Sequence, residues 1–258
     1  MRRSRLPAVV TALVLLFFYL PIAVLVINSF NASRFGGSWE GWTVAWYVRL
    51  AHADDIWRAL RNTLLIAVGA TVLSAVLGTT AALALHRYRS RLQDTHYALI
   101  YTPLVLPEIL MGISLLLFFM ALRVELGLGT IFLAHVTFCI SYVAMVVLAR
   151  LQDFDFTLIE AARDLGATWW GATWRVLLPL LAPGILAGAL LAFTLSVDDF
   201  VITFFVAGPG STTLPLRIYS MIKFGSPPLI NALSTLLLVA TFAGVWLSQR
   251  LLRERTMR

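Results

Sequence analysis

Charged residues are what this sequence lacks most. Only 13% of its 258 residues are Asp, Glu, Lys or Arg, whereas an average soluble domain has roughly 25%. A water-soluble globule of this length needs more polar residues to cover its surface. A disordered chain is poor in the hydrophobic residues that make up 60% of this one. The composition excludes both classes and predicts an all-α polytopic membrane protein, folded as one transmembrane domain over residues 1–258.

Cysteine and lysine are also scarce, with one of each. Cys139 can form no intrachain disulfide, and Lys223 belongs to no G-x-x-x-x-G-K-[ST] sequence, so the chain does not bind ATP in the P-loop manner. H-E-x-x-H and G-x-S-x-G sequences are absent too, and no catalytic residue is predicted. No metal site is predicted, because the four histidines are scattered along the chain: His52, His86, His96 and His135.

Apolar runs long enough to cross a bilayer occur six times. About 20 apolar residues in a helix cross roughly 30 Å of hydrocarbon. The predicted spans are Leu6–Phe30, Asn62–Leu85, Tyr97–Leu122, Thr130–Ala149, Pro183–Ala207 and Ile230–Leu252. The first follows a basic segment like the start of a signal peptide. Its apolar run exceeds the roughly 7–15 residues of a signal core and ends in no A-x-A site, which favours an uncleaved anchor.

The net charge of +7 is interpreted as a topology signal and not as a nucleic-acid footprint. Alternation of six spans places 13 of the 20 basic residues on one side of the membrane: Arg2, Arg3, Arg5, Arg87, Arg89, Arg91, Arg150, Arg163, Arg175, Arg250, Arg253, Arg255 and Arg258. By the positive-inside rule, both termini are predicted to be cytoplasmic.

The first outer loop, Asn31–Arg61, is rich in Trp and Tyr. Aromatic rings favour the headgroup zone, so the loop is predicted to hold an interfacial helix. Substrate binding by these rings is the alternative.

The predicted cytoplasmic loop between the fourth and fifth spans contains a short amphipathic helix. Thr157 followed by Glu160 is typical of a helix start, and Gly166 of a helix end. Its apolar residues share one face at helical spacing: Leu158, Ala161, Ala162 and Leu165. Such a helix docks into a groove on another protein or lies on the membrane surface, and the pattern leaves both open.

Three acids lie within apolar spans: Glu108, Asp198 and Asp199. Each costs about 2.5–3.5 kcal/mol at the centre of a span, so such residues usually line a cavity or pathway. No Lys or Arg lies deep in any span to neutralise them. They are therefore either carboxylates of a cation pathway or protonated acids satisfied by nearby hydroxyl groups. The candidate hydroxyl groups are those of Ser114, Thr194 and Ser196.

The spacing of these acids predicts successive levels along a path rather than one cage. Pro103 and Pro107 predict a kink or break beside Glu108. A rise of about 1.5 Å per residue places Glu108 and Asp198 at different depths. Asp198 and Asp199 would point about 100° apart on one helix and could not both face the path squarely.

Glycine spacing leaves two further questions open. Gly184 and Gly188 allow close helix approach, either within the chain or at a subunit interface. The sequence Gly208-Pro209-Gly210 predicts a turn, with contact to an external protein as the alternative.

The predicted cytoplasmic loop resembles the EAA loop of binding-protein-dependent ABC importer permeases. That pattern is E-A-A, three residues, G, nine residues, I, one residue, L-P. Glu160-Ala161-Ala162, Gly166 and Leu178-Pro179 follow it, with Val176 in the Ile position. The resemblance implies the six-span type I ABC importer permease fold, with the loop (about residues 151–180) carrying a coupling helix. The implied partners are a second permease subunit in a heterodimer, two cytoplasmic ATPase subunits that bind the ATP, and a periplasmic binding protein. This chain itself is expected to bind no cofactor.

Further segments resemble spermidine/putrescine importer permeases: Phe193–Val201, Gly208–Leu216, Ile218–Met221, Pro107-Glu108 and Asn231–Thr235. The resemblance implies a bacterial inner-membrane protein that translocates polyamines along Glu108, Asp198 and Asp199. That group commonly has Asp where this chain has Glu108, which keeps the charge and adds a methylene. The alternatives are an ABC permease for another cationic amine or an opine, and a proton-coupled secondary transporter. Six spans and the EAA loop count against the latter.

Overall fold

The computed structural model describes residues 6–34, 38–88, 91–225 and 227–256, and within them the fold is helical. The helices are α1 Leu6–Asn28, α2 Ala45–Ala51, α3 Asp54–Arg87, α4 Gln93–Val105, α5 Glu108–Ala121, α6 Leu128–Gln152, α7 Thr157–Asp164, α8 Trp169–Ala172, α9 Leu178–Asp198, α10 Val201–Val206, α11 Leu214–Phe224 and α12 Pro227–Thr256. A π-helical turn, Thr173–Leu177, joins α8 to α9. Among these residues, five helices are long and apolar enough to span a membrane, or six if α4 and α5, which meet at 112°, form one broken span. The predicted all-α membrane fold is confirmed.

The chain divides into two compact units. One comprises Met1–Trp57 with Ile218–Arg258, and the other comprises Arg58–Arg217. The single transmembrane domain expected for residues 1–258 stays a prediction.

In the first unit, α12 packs against α1 and α2, and Asn31 organises the loop after α1. The Asn31 side-chain oxygen accepts hydrogen bonds from the backbone N–H groups of Ser33 (3.1 Å) and Glu40 (3.0 Å). The Trp46 indole donates to the backbone carbonyl of Asn31 (2.8 Å). Helix α2 confirms a short helix within the predicted outer loop, while its place at the membrane interface stays a prediction.

The second predicted span begins too late in the chain. Helix α3 starts at Asp54 rather than at Asn62. Its first turn carries Asp54 and Asp55, which favour a helix N-terminus, but a search for apolar runs excludes such residues.

Helix α6 is the core of the second unit, with α9 packed along one side. A Cβ on Gly188 of α9 would lie 3.3 Å from the Val143 Cα of α6, and one on Gly184 would lie 3.1 Å from the Arg150 Cβ. On the α3 side, a Cβ on Gly78 would lie 2.7 Å from the Val143 Cβ. Gly184 and Gly188 therefore serve packing within the chain.

The fifth predicted span, Pro183–Ala207, is wrong at both ends. Helical backbone begins at Trp169 and runs to Asp198, and a break at Asp199 and Phe200 precedes α10. The early part was missed because Thr173 and Arg175 interrupt its apolar run. The break was missed because no proline or glycine marks it.

The segment after α10 is a turn, as predicted. The Ser211 hydroxyl accepts from the Gly208 N–H (2.8 Å) and donates to the Gly208 carbonyl (2.7 Å). Two hydrogen bonds connect the end of this turn and the start of α11 to α3. The Asn62 amide donates to the Thr212 carbonyl (3.0 Å), and the Leu214 N–H donates to the Thr63 hydroxyl (2.8 Å).

Candidate functional site

The two helix breaks of the second unit, α4–α5 and α9–α10, border one pocket of about 280 Å³. The lining residues are Pro103, Glu108, Met111, Phe138, Tyr142, Leu195, Asp198, Asp199, Phe200, Val201 and Ile202. The structure thus brings together the three acids singled out in the sequence. We call this site the acidic pocket.

Glu108 is the first residue of α5 and is exposed. Leu106 and Pro107 have extended ψ angles of 136° and 134°, which end α4 and start α5 in a new direction. This confirms the predicted break beside Glu108. The free N–H groups at the start of α5 carry partial positive charge and interact favourably with an acidic side chain at this position.

Asp198 is the last residue of α9 and is exposed as well. The C-terminus of a helix carries partial negative charge, and the carboxylate adds to it. This end of α9 therefore attracts cations.

Glu108 and Asp198, predicted at separate levels of a path, line the same pocket, and their levels along that path stay a prediction. The depth count assumed straight helices, whereas α4 and α5 meet at 112°. Asp198 and Asp199 also do not share one helix, since Asp199 has φ −62° and ψ 121°. The two neighbours can therefore both line the pocket.

Asp199 is held by hydrogen bonds at the start of α10. Its Oδ2 accepts from the Thr203 N–H (2.8 Å) and hydroxyl (2.6 Å), and its Oδ1 accepts from the Ile202 N–H (3.3 Å). The imidazole Nε2 of His135 lies 3.3 Å from Oδ2, and the Asp199 side chain is 5% exposed. This carboxylate satisfies the first turn of α10 and so creates the break.

His135, on α6, is the residue of this site that sequence reasoning missed. It is 1% exposed, with Nδ1 2.7 Å from the Ser196 Oγ and Nε2 2.9 Å from the Thr203 Oγ1. The available signal was a titratable residue inside an apolar span, which is expected to have a polar partner. Two of the three hydroxyl groups considered as partners of the acids are engaged elsewhere, because Thr194 donates to the Leu190 carbonyl (2.9 Å) and Ser196 bonds His135 (2.7 Å).

The chemistry of the acidic pocket suits an organic cation. Three carboxylates and no lysine or arginine stand among the described residues that line it. Phe138, Tyr142 and Phe200 add aromatic rings, whose faces attract ammonium groups.

The second candidate region is the coupling segment, residues 151–180, in which α7 confirms the predicted short helix. Ile159 anchors α7 at 3% exposure, and Gly166 ends it with φ +92°, in the left-handed region that glycine tolerates. The helix starts where Thr157 and Glu160 predicted it, with Asp155 as a hydrogen-bond acceptor just before it. Thr157 is the first helical residue, and its N–H (3.0 Å) and hydroxyl (2.7 Å) donate to the Asp155 carboxylate. These hydrogen bonds lower the pKa of Asp155.

The residues of the EAA pattern fall partly on an exposed surface. Glu160 and Ala161 are exposed, whereas Ala162 is half-buried. At the start of α9, Leu178 is half-buried and Pro179 exposed. Large apolar side chains extend the exposed surface: Leu165 is 91%, Trp170 70% and Trp174 66% exposed.

The end of α3 contacts the coupling segment on both sides of α7. The His86 ring stacks on Phe156, with centroids 5.0 Å apart and planes at 11°. The next residue, Arg87, places its Cζ 4.6 Å from the centre of the Trp169 ring. We call these the α3 contacts. A displacement of α7 would therefore be transmitted through these contacts to α3, a membrane helix.

Comparison with known proteins gives a consistent result. The sequence model of the family described as "Binding-protein-dependent transport system inner membrane component" matches residues 74–255. The chain belongs to this family. The permease is 42% identical to the spermidine/putrescine transport system permease protein PotC of Escherichia coli (strain K12) over 240 residues, 93% of this chain and 91% of that protein. It is 45% identical to the putrescine transport system permease protein PotI of the same strain over 245 residues, 92% and 87% of the two chains.

Solved structures show the same fold. A bacterial ABC transporter involved in the import of the acidic polysaccharide alginate matches with a TM-score of 0.75 at 17% identity, over 97% of this chain and 98% of that one. The permease is thus a multi-pass inner-membrane subunit of an ABC importer, a transport component and not an enzyme.

Proposed function

We propose that this permease translocates a polyamine, with putrescine and spermidine as the first candidates. The acidic pocket carries the proposal, because three carboxylates meet there among aromatic side chains. A polyamine carries several ammonium groups on an apolar chain and matches both features. The names of PotC and PotI support the same cargo.

The coupling segment is proposed to bind an ATPase subunit on the cytoplasmic side, with both termini on that side. Exposed apolar side chains of this size mark an interaction surface, and the Glu160-Ala161-Ala162 helix is the part expected to dock. Two ATPases, a second permease subunit and a periplasmic polyamine-binding protein complete the proposed importer.

The cargo is tested in proteoliposomes that contain the permease, its partner permease, the ATPases and the binding protein. Uptake of labelled putrescine or spermidine is expected only with hydrolysable ATP. Uptake driven by a proton gradient alone would contradict the proposal. Competition by unlabelled amines of different length and charge separates polyamines from another cationic amine or an opine.

The coupling role is tested by Glu160→Lys. We expect uptake to be lost while the variant still inserts and reaches normal amounts in the membrane, because the reversed charge lies on the proposed docking face. Asp94→Asn, at the exposed start of α4, is the control. Normal uptake by the Glu160 variant would remove the proposal.

A further inference from the structure

The two neighbouring aspartates of the α9–α10 break have opposite surroundings. Asp198 is exposed, whereas the Asp199 side chain is 5% exposed. Asp199 accepts three hydrogen bonds from Ile202 and Thr203 and faces His135 besides. The Asp199 oxygens are occupied by these protein groups, whereas Asp198 is an exposed residue of the pocket lining.

The hydrogen bonds around His135 determine where one of its protons lies. The Thr203 hydroxyl has one proton, and its 2.6 Å contact with Asp199 uses it. The 2.9 Å contact between Thr203 Oγ1 and His135 Nε2 then requires Nε2–H as the donor. The same N–H points towards the Asp199 Oδ2, 3.3 Å away. His135 thus stabilises the carboxylate directly and through Thr203.

These contacts join three helices and reach a fourth. His135 lies on α6, Ser196 on α9, and Thr203 on α10. Helix α10 packs against α5, where a Cβ on Gly112 would lie 2.6 Å from the Phe205 ring. Because α5 begins with Glu108, a fixed α10 also fixes the opposite wall of the pocket.

We propose that His135 is a positioning residue for transport. Through Nε2–H it holds Asp199 and Thr203, so that the α9–α10 break is rigid and only Asp198 and Glu108 bind the cargo. We call His135, Ser196, Asp199 and Thr203 the His135 network. The inference rests on the proposed amine transport and assigns different tasks to adjacent aspartates.

The test separates affinity from maximal rate in the reconstituted importer. Asp198→Asn is expected to raise the KM for putrescine about tenfold, because it removes a charged partner of the cargo. Asp199→Asn, Thr203→Val and His135→Ala are expected to lower the maximal rate about tenfold while the KM stays within about twofold. Within one network the effects are not additive, so the double variant of His135 and Asp199 should resemble each single variant.

Conservative replacement distinguishes positioning from bulk packing. His135→Gln keeps an N–H donor near the Nε2 position and should recover most of the rate that His135→Ala loses. His52→Ala, at an exposed histidine of the other unit, is the control. A raised KM for Asp199→Asn equal to that of Asp198→Asn, or full additivity of the His135 and Asp199 changes, would overturn the inference.

The rate at which a maleimide labels Cys139 is a second test, and it can be measured without any transported amine. Cys139, the only cysteine in the chain, lies one turn after His135 and is 0% exposed, with its Sγ 3.5 Å from the Ala192 carbonyl. We expect maleimide labelling of Cys139 to accelerate in Asp199→Asn and Thr203→Val and to stay slow in Asp198→Asn. Equal labelling in all variants would contradict the rigid break. The expected labelling pattern without any amine uptake would instead refute only the proposed cargo.

Discussion

The His135 network beside the acidic pocket buries polar side chains, whereas the coupling segment exposes apolar ones. In that network, the side chains of His135 and Asp199 are 2% and 5% exposed. In the coupling segment, Leu165 is 91% exposed and Trp170 70%. Ionisable side chains inside a bilayer usually belong to a transport path or binding site. A large exposed apolar surface outside the bilayer usually binds a partner protein. Transport should therefore be impaired by removing charge at the pocket and by removing side-chain contacts in the coupling segment.

The largest effect is expected from neutralising both pocket-facing acids. Glu108→Gln with Asp198→Asn keeps the shape of each side chain and removes its charge. A hydrogen bond to a charged group contributes about 1.5–3 kcal/mol, so losing two such contacts with the cargo should lower uptake about a hundredfold or more. The measurement is initial uptake of labelled putrescine in proteoliposomes.

The double variant should leave the function of the coupling segment unchanged. ATP hydrolysis and assembly with the ATPases are expected to persist in the double variant, and Asp94→Asn serves as the control for loss of an exposed carboxylate outside the pocket. Wild-type uptake by the double variant would show that these acids are structural.

Glycine-to-alanine substitutions in the two regions should differ in their effect on the stability of the protein. A Cβ on Gly112, beside the pocket, would lie 2.6 Å from the Phe205 ring, and overpacking of this kind costs about 1–3 kcal/mol. Gly166 of the coupling segment has open space around it but φ +92°, so alanine there incurs only local backbone strain of about 1–2 kcal/mol.

We therefore expect Gly112→Ala to lower the thermal midpoint in detergent. Gly166→Ala should lower that midpoint less than Gly112→Ala does and speed hydrogen exchange in α7. Gly129→Ala, in helical backbone with no atom within 4 Å of the added Cβ, is the control. A lower midpoint for Gly166→Ala than for Gly112→Ala would contradict the difference between the two regions.

Sequence reasoning reached the parts of both regions that local signals determine. Apolar runs predicted the membrane helices, Pro107 predicted the break beside Glu108, and Glu160 with Gly166 predicted α7. The α9–α10 break escaped it because a side chain, Asp199, makes that break without proline or glycine.

His135 escaped sequence reasoning for a related reason. Its partners Ser196 and Thr203 lie 61 and 68 residues away in the chain. Only the packing of α6 against α9 and α10 brings them together. Local patterns thus locate the acids but not the histidine network that divides their tasks.

A smaller effect is expected from the α3 contacts. Arg87→Ala removes the contact with the Trp169 ring, and a cation–π contact at an exposed site contributes about 0.5–1 kcal/mol. The rate of uptake should fall about two- to fivefold, with the KM for putrescine unchanged because the pocket is untouched. Arg91→Ala, at an exposed arginine beyond the end of α3, is the matched control. An equal loss in both variants would assign the effect to net charge rather than to the contact.

The smallest effect concerns the pH dependence of α7. Because hydrogen bonds from Thr157 lower the pKa of Asp155 below its ordinary value of 3.8, the carboxylate stabilises the helix start above that value. This stabilisation is lost as the pH falls through the lowered pKa. Hydrogen exchange of amides 157–165, corrected for intrinsic rates, should therefore show steady protection from neutral pH to about 4 and weaker protection below it.

Two variants separate the charge of Asp155 from its geometry. Asp155→Asn retains an acceptor oxygen that does not titrate, so α7 should keep most of its protection and lose the pH dependence. Asp155→Ala removes the acceptor and should lower protection at every pH. If the asparagine variant still loses protection below pH 4, the pH dependence comes from another titrating group. Asp155 would then stabilise the start of α7 through hydrogen bonds that do not need its charge.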